Sequence, residues 1–135
     1  MKAIDTNVLA RFFINDPDDA EAIKQRPFAV AALSERTFVS VTVLLEFEWV
    51  MRGFYAFARP DVARAMHALV SIEHVSIEDR GAVLAALDGF AQGLDFADAL
   101  HLARSSRAAA FLTFDRRLAK RAKSLSVTPP VELLG

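Results

Sequence analysis

Short β-like runs and helical patterns take turns along this chain, and that alternation limits the possible folds more than any other feature of the sequence. KAID precedes a helical pattern from about Asn7, TFVS one from about Thr42, EHVS one from about Glu78 and AAFLT one from about Asp115, with LSVT as a weak final strand. Strands separated by helices require crossover connections, because a parallel pair cannot be closed by a tight hairpin. The expected class is α/β, with a small parallel β-sheet flanked by helices on both faces. Asp16-Pro17 and Arg59-Pro60 put proline at a first helical position, Gly93 reads as a helix end, and Pro129-Pro130 stops whatever precedes it. No repeat, low-complexity tract or linker interrupts the 135 residues, so one domain, 1–135, is expected.

Cysteine is absent, which removes disulfides, zinc-thiolate sites and thiol catalysis. The amino terminus reaches Asp5 too soon for a signal peptide, and Glu46 and Glu48 interrupt the longest apolar stretch, FVSVTVLLEFEWVM. A soluble cytoplasmic protein with no membrane segment is expected. With 53% hydrophobic residues and 11 phenylalanines, the chain has more apolar side chain than a small core needs, so part of it should face a partner. Among Phe47, Trp49, Phe54, Tyr55 and Phe57, the core should claim Phe47 and Phe54. The net charge of −1 argues against a general nucleic-acid coat. Seven of the 16 lysines and arginines nevertheless fall within twenty positions, from Arg104 to Lys123.

Four acids stand out. Asp5 and Asp115 follow short apolar strands, where ligands of open α/β sheets gather, although an aspartate there also serves as a helix cap. A helical wheel over 43–54 puts Val43, Leu44, Phe47, Val50, Met51 and Phe54 in one stripe and sends Glu48 to the wet face, paired with Arg52 at i,i+4. Glu46 lies at the edge of the stripe with no local cation, a position that a purely structural role explains poorly. In GLDFADALHLAR, Asp95 reads as a helix cap and Asp98 as a first-turn residue able to aim into a site. His67, His74 and His101 form no ligand pair, and His101, one turn after Asp98, reads as a flank contact.

Four ionised carboxylates do not converge unaided, because a pair about 4 Å apart repels by about 4 kcal/mol at an effective dielectric near 20. A hard divalent cation resolves this, and an all-oxygen donor set suits Mg²⁺ or Mn²⁺ better than zinc. Such a cation activates water and stabilises charge at phosphorus, which is the chemistry of phosphodiester hydrolysis. A helix over FDRRLAKRAKSL would gather Arg116, Arg117, Lys120, Arg121 and Lys123 on one broad face beginning beside Asp115, where a polyanion's backbone needs neutralising.

With AIDTN, Glu46 on its helix, DFADALHLA and FLTFD in this order, the sequence resembles the PIN-domain ribonucleases, and within them the VapC-type toxins of toxin–antitoxin pairs. The resemblance spans essentially the whole chain. It implies a metal-dependent endoribonuclease with Asp5, Glu46, Asp98 and Asp115 as catalytic and metal-holding acids around Mg²⁺ or Mn²⁺. Thr6, Asn7, Asp95 and Thr113 would support them, and Arg116, Arg117, Lys120 and Arg121 would meet the RNA, whether tRNA, rRNA or mRNA. It also implies a homodimer restrained by a small cognate antitoxin. A haloacid-dehalogenase-type enzyme would need an aspartate where Asn7 stands, and the five glycines form no nucleotide loop. The remaining alternative is a catalytically silent PIN-like module that binds RNA or protein.

Overall fold

The computed structural model describes residues 1–135, and its elements fall into two compact units, Met1–Arg80 and Gly81–Gly135. The fold class is α/β, with every strand pairing parallel. No helix is long and apolar enough to cross a membrane.

In the first unit, β1 (Lys2–Ala3), β2 (Thr37–Val39) and β3 (Val75–Ile77) form a sheet in that order, with Ala3 opposite Phe38 and Phe38 opposite Ser76. Helices α1 (Thr6–Phe13) and α2 (Ala20–Leu33) carry the chain from β1 to β2. From β2 to β3 it passes through α3 (Val41–Trp49), a π turn (Val50–Phe54) and α4 (Arg59–Val70). Leu9, Leu33, Val39, Leu44, Phe47, Met51, Val62, Met66 and Leu69 are buried, and the Phe13 and Phe47 rings stand 5.6 Å apart. Pro60 is the second residue of α4, one past the first helical position expected, where its missing N–H is still unneeded. Asp16-Pro17 does not open a helix: Asp19 N–H closes a turn onto the Asp16 carbonyl at 3.2 Å, with Pro17 in the position such turns favour. Asp19 itself caps α2, accepting from the N–H groups of Glu21 and Ala22.

The start of α3 is held from two directions. Ser40 Oγ accepts the Val43 N–H at 3.3 Å, and Glu78, just beyond β3, accepts the Val41 N–H at 2.9 Å. Two donors that a helix start leaves open are thereby satisfied. Glu78 is thus a clamp on α3, and the helix expected from it begins two residues later, as α5 (Arg80–Ala91).

The wheel over α3 needs a correction. Val41, Leu44, Phe47, Glu48 and Met51 are the buried positions, so the inward stripe includes Glu48, which is 1% exposed. Its two oxygens accept from Arg52 Nε at 2.7 Å and Nη2 at 3.3 Å. This forked pairing neutralises the carboxylate locally, so a charge can occupy a core position while the arginine head stays partly in water. Phe54, expected in the core, is 71% exposed, because the π turn closes with Tyr55 N–H on the Val50 carbonyl and shifts the register after Trp49.

In the second unit, α6 (Phe96–Ala103) follows α5, and α7 (Arg116–Leu125) joins β4 (Phe111–Thr113) to β5 (Val131–Leu133). Thr113 stands opposite Leu133 in the parallel β4–β5 pair. The final strand is therefore not LSVT: Leu125 ends α7, Ser126 takes the left-handed conformation, and the chain must pass Pro130 before it can run beside β4. Gly93 ends α5 as expected, at φ +103°, with Leu94 N–H on the Gly89 carbonyl and its own N–H on Phe90.

Arg52→Met keeps an apolar stem but leaves Glu48 buried without its fork. Denaturant melts should show a loss of about 3 kcal/mol, and much of it should return in the double variant Glu48→Met, Arg52→Met.

Candidate active site

Asp5 is the residue at which β1 gives way to α1. Its exposed carboxylate caps α1, accepting the Val8 N–H at 3.2 Å. Thr6 follows, buried, and its hydroxyl donates to Oε1 of Glu46 on α3. Glu46 is exposed and is not pressed among apolar side chains, as its place on the wheel suggested. What orients it is the threonine next to Asp5, so two expected acids of the first unit are tied to adjacent residues at the end of β1. The sequence signal for this bond is slight: a hydroxyl residue directly after a strand-end aspartate. Asn7 lies exposed in the first turn of α1.

The second unit gathers three acids. Asp95 caps α6, accepting the backbone N–H of Asp98 at 3.3 Å. Asp115 caps α7, accepting the Leu118 N–H at 3.0 Å, and its own N–H donates to Thr113 Oγ1 at 3.0 Å. Thr113 thus fixes the turn that carries Asp115. Asp98 sits half-buried beside them, and its pKa is raised above the ordinary aspartate value. Desolvation is the largest cause, followed by the charges of Asp95 and Asp115, with His101 opposing them. Burial and like charge both disfavour the ionised form of an acid.

In neither unit do three carboxylate or imidazole groups already stand in a ligating cluster. The donor chemistry still fits a hard divalent cation: carboxylates backed by threonine hydroxyls, with no thiol and no paired histidines.

On α7 the inward positions are Leu118 and Ala122, and Arg116, Arg117, Lys120, Arg121 and Lys123 are all exposed. Arg121 has a structural contact as well. Its guanidinium packs where a Cβ on Gly93 would stand, and Nη1 donates to the Gln92 carbonyl at 3.4 Å, finishing the end of α5.

The raised Asp98 pKa has a definite sign for stability. An acid that binds its proton more tightly when folded stabilises the fold below its unfolded pKa, and that contribution is lost as pH rises through the folded value. In metal-free buffer Asp98→Asn should therefore melt above the wild type at pH 7. The gap should close as pH falls below the ordinary aspartate range, which thermal melts across pH in EDTA will read.

No curated protein and no solved structure matches the chain. The family model of the PIN domain matches residues 2–124, from β1 to within one residue of the end of α7. With strand-end acids on parallel strands in both units and that match over nearly its whole length, the chain belongs to the PIN domain family.

Proposed function

We propose that this chain is a metal-dependent endoribonuclease, the toxin of a VapBC-type toxin–antitoxin pair, with Asp5, Glu46, Asp98 and Asp115 as its acids. PIN domains are generally nucleases that use divalent metals, which supports this reaction class. The observation that carries the reading is the position of Asp5 just after β1 and of Asp115 just after β4 in a chain that the PIN-domain model matches over residues 2–124; at Asp98, burial first and then the charges of Asp95 and Asp115 resist ionisation. A cation held by these acids would relieve that repulsion. When bound, Mg²⁺ or Mn²⁺ supplies the positive charge that activates water and stabilises the phosphodiester's departing oxygen.

The chain's own residues provide the aim. Thr6 holds the Glu46 carboxylate in one orientation, and Thr113 fixes the turn from which Asp115 projects. Asp5 and Asp115 each keep one oxygen on a helix N–H, which leaves the other oxygen for a ligand. The exposed cations Arg116, Arg117 and Lys120, with part of Arg121, follow directly on Asp115 and would neutralise RNA phosphates. The chain would act in the cytoplasm as a homodimer, cutting tRNA, rRNA or mRNA until a cognate antitoxin covers its acids. Support for the toxin assignment is the order of AIDTN, DFADALHLA and FLTFD along the sequence.

One observation favours a second reading, a silent PIN-like binding module: Asp5, Asp95 and Asp115 each have a complete structural role as helix caps. Asparagine caps about as well as aspartate, so Asp→Asn changes the chemistry without removing the cap. Asp5→Asn and Asp98→Asn should each abolish RNA cleavage in Mn²⁺ or Mg²⁺ while circular dichroism stays that of the wild type, and EDTA should silence the wild type too. Activity retained in both variants would remove the proposed site.

The basic face has its own check. Arg117→Gln with Lys120→Gln should weaken binding to unrelated RNAs alike and flatten the dependence of log K on log salt by about 1.4, roughly 0.7 for each lost phosphate contact.

A further inference from the structure

The chain has a single tryptophan, and it is not used to fill the core: Trp49 is 57% exposed at the end of α3. An indole buries more apolar area than almost any other side chain, and this one lies on the surface of the helix that carries Glu46. Trp49 follows Glu46 by three residues, which puts both on one face of α3, about 4.5 Å apart along the helix axis. Both are exposed.

The ring is also held in place. A Cβ on Gly53 would lie 3.1 Å from Cε2, 3.3 Å from Nε1 and 3.4 Å from Cδ2 of Trp49. Near-equal approach to three atoms of the fused ring means that the indole lies flat across the glycine. Gly53 belongs to the π turn, and any larger residue there would push the ring away. One face of the indole is thus seated on backbone. A second exposed ring, Phe54, follows Gly53 in the chain and meets Tyr55 edge-on at 4.9 Å.

We propose that Trp49 is a stacking platform for an unpaired RNA base, on the same helix face as Glu46. The inference rests on the nuclease reading above. A flat, preset aromatic face accepts any base, because every base has a π-face, and presetting lowers the entropy lost on binding. Bases inside an A-form duplex are already stacked on both sides and do not reach such a ring. Trp49 is a specificity-determining residue in this account, and Gly53 positions it.

Because the chain has one tryptophan, its emission reports on this site alone. The experiment titrates full-length Asp98→Asn in EDTA with oligo(A), oligo(U) and an RNA duplex, following emission and, with labelled RNA, anisotropy. Saturable quenching by the single strands, with little by the duplex, is expected. Trp49→Ala should bind single strands about 5- to 100-fold more weakly, Trp49→Phe should stay close to the parent, and Gly53→Val should weaken binding with Trp49 intact. Binding by anisotropy without any emission change, or Trp49→Ala binding like its parent, overturns the proposal. An emission shift on simple dilution without RNA also overturns it, because a second copy would then be the occupant. Cleavage surviving in Asp98→Asn would strike the nuclease reading at its acids while leaving the stacking result readable.

Discussion

Three aspartates, Asp5 in the first unit and Asp95 and Asp115 in the second, each accept a backbone N–H from the first turn of the helix that follows them, and those bonds fix where the three carboxylates stand. A helix start leaves several N–H groups without partners, and a short carboxylate is among the best groups to satisfy one. The bond also fixes the carboxylate. A side chain that would otherwise sample several rotamers is held at the point where a strand or turn becomes a helix. The structural role thus uses the same atoms that a chemical role would need. This explains why an aspartate at such a turn resists assignment from sequence.

The two glutamates of α3 show how charge can mislead a helical wheel. Glu48 and Arg52 at i,i+4 read as a solvent-facing pair, yet the pair is what allows Glu48 to enter the core, because a forked arginine meets both oxygens and keeps its own head near water. Glu46, without a cation in its own helix, stays exposed and is held by a threonine forty residues earlier. A carboxylate with a local counterion is the one that can be buried, and a carboxylate without one remains available. The wheel assigned these environments the other way round because hydrophobicity by position does not count partners.

Around Asp98 the balance differs. Burial and two neighbouring carboxylates all oppose its ionisation, and His101 favours it. Beyond Asp115 the sequence changes sign abruptly, to Arg116, Arg117 and Lys120 on the wet face of α7. An acidic turn thus adjoins a basic helix face within the second unit. Arg121 shows the limit of reading such a face by charge alone, because part of its guanidinium finishes the end of α5 over Gly93.

The strand and helix alternation, the α/β class, the strand-end places of Asp5 and Asp115 and the glycine that ends α5 are all legible in the unfolded chain. These follow from local periodicity, residue type and turn chemistry, which act over a few residues. Tertiary structure alone decided that Glu48 and not Phe54 is buried, that Thr6 orients Glu46, that Glu78 clamps the start of α3, and that the last strand follows Pro130. Each of these rests on partners far apart in sequence or on a register shift such as the π turn. Burial of a charge and the pairing of a strand are settled by what the rest of the chain brings to them, and no periodicity within a short segment encodes that.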